Sequence, residues 1–363
     1  MTGADAGWLE QRLRRVGPMT VAEFMAEALH HRQSGYYAAG DPLGPDGDFV
    51  TAPEMSQMFG ELLGLWMVSA WTTQGAPPDA ALVELGPGRG TLMADAARAI
   101  AAAGADALVR TPHLVETSPV LRRSQAERLA HLEPVWHRDL SDMPDGPWFV
   151  IANEFLDALP IHQLVLRDGD WREVLVSAKP DGDGLCWAVD RVPSTLTGVL
   201  PEPLRRSRED GLIAEICPAA EHLVSDVAAR ISACGGAGLF VDYGAMRNAR
   251  GATLQAVSGH RPVDPLEAPG RADLSSHVDF ARLRERTAVA GCVMHGPVDQ
   301  GPFLIELGIR ERAAALGWGG DADRRIRVER DMARLIDPGQ MGTLFKVAAI
   351  LPRDQDTPPG FRA

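Results

Sequence analysis

Apolar residues recur at helical spacing at the start of the chain, Trp8, Leu9, Leu13 and Val16, until Pro18 interrupts them. Thr20-Val21-Ala22-Glu23 then reads as a capping box, in which the threonine hydroxyl and the glutamate carboxylate each take an orphan backbone N–H. A glycine- and proline-rich stretch from Gly35 to Gly47 predicts a loop with specified turns. Thr51-Ala52-Pro53-Glu54 predicts the start of a second helix, with Met55, Met58, Phe59, Leu62, Leu63 and Trp66 on its apolar face. Gln74 to Asp79 is the first boundary the pattern offers.

From Ala81 short apolar runs alternate with helical ones, as in a parallel sheet with crossovers, and the fold class is α/β. The pattern predicts strands at Ala81–Leu85, His113–Glu116, Pro134–His137 and Trp148–Ala152, with helices at Thr91–Ala103 and Pro119–Ala130. Ser118 before Pro119 is an N-cap followed by an N1 proline. Beyond Pro160 three strand-like runs, Ile161–Leu166, Trp171–Val176 and Leu185–Val189, are separated by Asp-Gly turns and predict an antiparallel insertion. Ile213–Ile216, a helix over Ala219–Ala233 and Gly238–Val241 resume the alternation. Thr253–Gly270 reads as a loop-like insertion, and Leu344–Ile350 as a final strand.

Composition narrows the class. With 45% hydrophobic and 23% charged residues, the 363-residue chain is neither a disordered tail nor a fibre. Acids outnumber bases 49 to 36, and a net charge of −13 argues against holding nucleic acid and favours a cationic partner. The only lysines are Lys179 and Lys346, and this arginine bias, with the abundance of alanine, suggests a GC-rich bacterial genome. Cys186, Cys217, Cys234 and Cys292 are far apart and form no zinc-ligand pattern, so no metal is expected. Acidic residues interrupt the first thirty positions, where no signal-peptide core can be drawn, and no run is long enough to span a bilayer. A cytoplasmic location without membrane insertion is the resulting expectation; the oligomeric state is not legible.

The most informative stretch is Val83-Glu84-Leu85-Gly86-Pro87-Gly88-Arg89-Gly90-Thr91. A strand ends, three glycines at alternate positions turn the chain, and a helix begins with its N–H groups facing the turn. In a dinucleotide fingerprint the third glycine would fall on Thr91, so the match to that pattern is imperfect. An acid just before an alternate-glycine turn is the pattern of S-adenosylmethionine methyltransferases. Two acids downstream suit such a site. Glu116 ends the second strand, where a carboxylate can accept both ribose hydroxyls; Asp139 follows the third, where it can accept from an adenine amino group while Leu140 packs on the ring. Each alone also looks like a solvated cap. The fourth strand ends in Asn153-Glu154-Phe155-Leu156-Asp157, at the carboxyl edge where open α/β sheets bind ligands. Asp157 also reads as a helix cap and Asn153 as a turn residue.

Several segments together resemble the MidA-like family, which includes a mitochondrial complex I assembly factor and many bacterial relatives. They are Gly47–Glu61, Glu84–Thr91, Leu114–Ser118, Asn153–Pro160 with His162-Gln163, Val241–Gly244, His277–Phe280, Asp299–Gly301 and Met341–Val347. The resemblance implies a Rossmann-like, seven-stranded class I methyltransferase fold that uses S-adenosyl-L-methionine, and an arginine-bearing protein substrate such as a complex I subunit. Carried over by position, Gly86, Gly88, Gly90 and Thr91 would hold the methionine part, Glu116 and Thr117 the ribose, and Asp139 and Leu140 the adenine. Asn153 would line the site, and Asp48, Thr51 and Pro53 would cover the cofactor. On this reading residues 1–78 are a helical cover contributing to the cofactor site, and residues 79–363 are the methyltransferase domain with insertions near 160–211 and 245–290.

Glu154 and Asp157 are the residues to which catalysis is assigned, as carboxylates that align a guanidinium. Two other readings stand beside this one: a cofactor-binding assembly chaperone without turnover, and a small-molecule methyltransferase whose pocket the insertions roof. A nucleic-acid base methyltransferase would call for Asn/Asp-Pro-Pro-aromatic at the fourth strand, where the chain has Asn153-Glu154-Phe155-Leu156.

Overall fold

The computed structural model describes residues 7–39 and 51–362. By its contacts the chain divides into two units, one formed by Met1–Phe49, Asp157–His222 and Met246–Arg282, the other by Val50–Leu156, Leu223–Ala245 and Leu283–Ala363.

The second unit holds the main sheet, whose strands we number β1 (Ala81–Leu85), β2 (His113–Val115), β3 (Val135–His137), β4 (Trp148–Asn153), β5 (Gly236–Ala245), β6 (Cys292–Asp299) and β7 (Phe345–Pro352). Their order is β6-β7-β5-β4-β1-β2-β3. Pairing is parallel from β3 through β1 and β4 to β5, and antiparallel where β7 lies between β5 and β6. This is the seven-stranded Rossmann-like arrangement expected. Strands β1 and β4 are buried almost throughout, because helices cover both faces of a parallel sheet. The Gln57–Thr73 helix packs Phe59, Leu63 and Trp66 into the core that also takes Phe149, Ile151, Leu239 and Val347.

The helix expected from Thr51 is two helices, Ala52–Met55 and Gln57–Thr73. Ser56 is extended between them (φ −156°, ψ 130°), and its side chain accepts the Met58 N–H. Ser118 caps Pro119–Arg128 as expected, accepting the Leu121 N–H at 3.3 Å.

The first unit contains the antiparallel insertion. Its sheet runs Met19–Thr20, Asp170–Ala178, His162–Arg167, Ile213–Ile216, with Leu185–Val189 also paired to Asp170–Ala178. Asp168 and Gly169, both at positive φ (53° and 85°), form the two-residue hairpin read from the sequence. The capping box is present: the Glu23 N–H donates to Thr20 Oγ1 at 3.1 Å and the Thr20 N–H to Glu23 Oε2 at 2.8 Å. The helix it starts buries Phe24, Met25 and Leu29 in a cluster with Leu9, Ile161, Val176 and Leu274. Glu215, almost fully buried, accepts from Arg247 at 2.6 Å and from Gln163, Thr253 and Leu254, fastening 246–282 to the sheet.

The stretch 253–270, expected as loop, contains strands Gln255–Ser258 and Arg261–Val263, which form a small antiparallel sheet with Asp273–Ser275. Its tight turn puts His260 at φ +60° after Gly259 at +56°. Histidine is a poor turn signal, which hid the hairpin. Among the described residues no helix is long and apolar enough to cross a membrane.

Candidate active site

The glycine turn follows β1 directly. Gly86, Gly88 and Gly90 have φ of 62°, 54° and 80°, a region that favours glycine. At Gly86 space forbids anything larger as well, since a Cβ there would lie 2.5 Å from Phe155 Cδ2. The Gly86 N–H donates to Val115 O at 3.0 Å, and the Gly90 N–H to Pro87 O at 2.7 Å. Thr91, the first residue of its helix, donates its hydroxyl to Glu54 Oε1, while Arg89 Nη1 lies 3.7 Å from Glu54 Oε2. Glu54 thereby ties the turn to the short helix that carries buried Pro53, whose first turn closes on the Thr51 carbonyl. Thr51 and Pro53 thus stand in a segment anchored to the turn. Asp48 lies outside the described residues.

Two carboxyls sit behind the turn. Glu84, buried in β1, receives the Met93 N–H, and its Oε2 has no hydrogen-bond partner. Burial, opposed by that N–H and reinforced by the Glu116 charge, pushes its carboxyl up to about 8, so it is mostly protonated at neutral pH. Glu116, also buried, accepts the Ser118 N–H at Oε1 (2.7 Å) and the Gln125 amide at Oε2 (3.2 Å). Burial raises its carboxyl above the ordinary range, and the Ser118, Gln125 and Thr117 donors oppose the rise. Gln125 was not among the residues singled out from sequence. Its only outward signal is a polar residue four positions after Leu121, on the inward face of a helix.

Asp139 follows β3 and is exposed. Its Oδ1 accepts the Ser141 N–H at 2.8 Å and the Ser141 hydroxyl, so it caps the turn that begins at Leu140. Those bonds lower its carboxyl below the ordinary range.

At the end of β4, Asn153 donates its amide to Glu154 Oε1 at 3.1 Å, and its own buried Oδ1 has no hydrogen-bond partner. Glu154 adopts φ +49°, which costs a side-chain-bearing residue on the order of 1–2 kcal/mol. Strain of this kind concentrates where function fixes a side chain. Asp242, in the carboxyl-terminal half of β5, holds the turn: Oδ2 accepts the N–H groups of Phe155 (3.2 Å) and Leu156 (2.8 Å), and Oδ1 that of Tyr243. The Tyr243 ring packs against Phe345, with centroids 4.1 Å apart and the planes tilted by 35°. Asp157 belongs to the first unit, where it is buried, its carbonyl accepting the Ser276 N–H and its charge acting on Tyr37. Glu154 is therefore the one of the two proposed catalytic carboxylates that stands in the unit of the main sheet.

Residues of the second unit fit a polar, nucleoside-bearing cofactor. Glu84 Oε2 and Asn153 Oδ1 are buried oxygens without a protein partner on adjacent strands, and a Cβ at Gly86 would close the turn beside them. A methyltransferase family model, described as S-adenosyl-L-methionine-dependent, matches residues 62–298. Over 96% of its length the chain is 37% identical to the mitochondrial protein arginine methyltransferase NDUFAF7 of Mus musculus, covering 84% of that protein, and it is equally similar to the Homo sapiens protein, covering 83%. The chain belongs to this methyltransferase family.

A solved structure from Burkholderia thailandensis, bound to S-adenosyl-homocysteine, superposes with a TM-score of 0.84 at 27% identity, covering 99% of this chain and 96% of that one. This methyltransferase accordingly has the class I fold and uses S-adenosyl-L-methionine. The expectation of a bacterial cytoplasmic location is overturned by the same relatives, which are mitochondrial proteins.

Proposed function

We propose that this methyltransferase modifies a guanidinium nitrogen of arginine in a protein, and that the substrate is a subunit of respiratory complex I. The relatives' identity as protein arginine methyltransferases supports the acceptor, and the sequence resemblance to the family that includes a mitochondrial complex I assembly factor supports the substrate. The observation that carries the reading is Glu154: a strained carboxylate at the carboxyl end of β4, oriented by the Asn153 amide on a turn held by Asp242.

Gly86, Gly88, Gly90 and Thr91 would hold the amino-acid part of the cofactor, Glu116 and Thr117 its ribose, Asp139 and Leu140 its base. Asn153, Thr51 and Pro53 would complete the enclosure. When bound, S-adenosyl-L-methionine supplies an electrophilic methyl group on a sulfonium. The protein's task is to prepare the acceptor. A guanidinium stays protonated at neutral pH and offers only N–H donors. Glu154 accepts one N–H group and fixes the plane of the guanidinium, leaving another nitrogen to face the site. Its negative charge also stabilises the additional charge and takes up the proton released as the nitrogen is alkylated. The net charge of −13 draws a basic segment toward the protein.

The test is incubation of the protein with methyl-labelled cofactor and complex I isolated from cells that lack it, followed by hydrolysis and amino-acid analysis. Label in methylarginine of one subunit is expected. Label in a small molecule, or cofactor binding without any transfer, would replace this reading with one of its rivals.

A further inference from the structure

The Pro119–Arg128 helix carries a fully buried polar side chain, that of Gln125. A buried amide is costly unless its donors and acceptor are used, and here both ends are engaged. Oε1 accepts the Trp136 indole N–H at 2.8 Å, while Nε2 donates to Gly88 O at 2.7 Å and to Glu116 Oε2 at 3.2 Å. The indole fixes which way the amide points, because it can only donate and so demands the carbonyl oxygen. Both amide hydrogens are then committed to the glycine turn and to the acid ending β2. One side chain thus joins the carboxyl ends of β1 and β2 to β3. The backbone contact is close too: a Cβ on Gly90 would meet Leu129 at 3.2 Å and the Gln125 Cα at 3.5 Å.

We infer that Gln125 is a positioning residue for cofactor binding: its amide sets the Glu116 carboxylate and the Gly88 peptide in the orientation that receives the ribose and the amino-acid part. The inference rests on the reading of Glu116 as the ribose ligand. Glu116 accepts the Ser118 N–H on Oε1 and the Gln125 amide on Oε2, with the Thr117 N–H as a third donor, and a carboxylate's roughly four lone-pair sites still leave room for a ribose hydroxyl. An apolar residue would fill the space equally well. What it would lose is the donor that holds Glu116 Oε2 and the acceptor that anchors Trp136.

The experiment compares binding of S-adenosyl-homocysteine with that of its analogue lacking one ribose hydroxyl, by calorimetry, in the wild type, Gln125→Met, Gln125→Glu and Glu116→Gln. Gln125→Met is expected to weaken S-adenosyl-homocysteine about tenfold, with the loss in turnover falling on the cofactor KM rather than on kcat. The analogue should lose less, so that the preference for the full ribose shrinks. Gln125→Glu keeps the shape but sets an anion against Glu116. Its defect should be larger at pH 8 than at pH 5.5, where the protonated side chain donates again, and this arm holds even if the methionine variant fails to fold. Equal losses for both ligands, or a pH-independent defect in Gln125→Glu, would overturn the inference. If Glu116→Gln leaves the preference for the full ribose intact, the reading of Glu116 itself fails, and the two failures are told apart.

Discussion

The Leu156 N–H donates to Asp242 Oδ2 at 2.8 Å, so a carboxylate carried by β5 dictates the path of the chain as it leaves β4. Phe155 and Tyr243 donate to the same carboxylate, and Asp242 is almost fully buried. Asparagine at this position would turn an NH2 group toward backbone donors whichever way it flipped. Asp242→Asn should therefore lower unfolding free energy by about 2 kcal/mol, read by urea denaturation. It should also reduce methyl transfer more than cofactor affinity, because the turn it releases carries Glu154.

Glu154 separates stability from catalysis. Replacing it with glycine removes the penalty of φ +49° and should raise unfolding free energy by about 1 kcal/mol. The same change should abolish transfer. Glu154→Gln keeps the strain and loses the charge, and transfer should fall about 100-fold while S-adenosyl-homocysteine still binds in calorimetry. Full transfer by either variant would remove the carboxylate from the mechanism.

At Gly86 the backbone and the neighbouring ring make the same demand. Gly86→Ala meets both a positive φ of 62° and Phe155 at 2.5 Å, whereas Gly104→Ala meets a φ of 76° with nothing within 4 Å. The second change should cost about 1–2 kcal/mol and leave cofactor binding alone. The first should cost more and eliminate measurable binding. Thermal melts with and without S-adenosyl-homocysteine separate the two.

Glu84 gives a pH signature. Its carboxyl is raised from 4.5 to about 8 in the folded protein, so between those values the native state holds a proton that the unfolded chain releases. Its contribution to stability is complete below pH 4.5 and is lost as pH rises through about 8. The slope from this one group is about 1.4 kcal/mol per pH unit at most. Glu84→Gln should flatten the decline of stability between pH 5 and pH 8, measured by denaturant titration across that range. An unchanged slope would show that the acid is ionised in the folded state.

The parallel half of the sheet was legible because β1, β4 and β5 are buried on both faces and read as continuous apolar runs between glycine turns. Between residues 271 and 343 no element was read. There Gly296-Pro297 and a register shift between His295 and Val298 break the alternation of β6. The Ala322–Ile336 helix was readable in principle, since Val328, Met332, Leu335 and Ile336 recur at helical spacing, but five arginines among fifteen residues masked them. At the site, glycines and strand-end acids announce themselves locally. Gln125 and Asp242 do not, because each acts on groups brought near only by the fold: Gln125 on Gly88, 37 positions away, and Asp242 on Leu156, 86 positions away.

The first unit is assembled from three stretches of chain between which the sheet-bearing unit is threaded. Tyr37 donates to Asp273, 236 positions later, and Thr20 pairs with Leu175 across much of the same interval. During synthesis the amino-terminal helices leave the ribosome long before their partners exist. At about 5–20 residues per second, they wait on the order of ten seconds or more with Phe24, Met25 and Leu29 uncovered. A protein built this way leaves the apolar face of its first helices without native partners until those later stretches have been made.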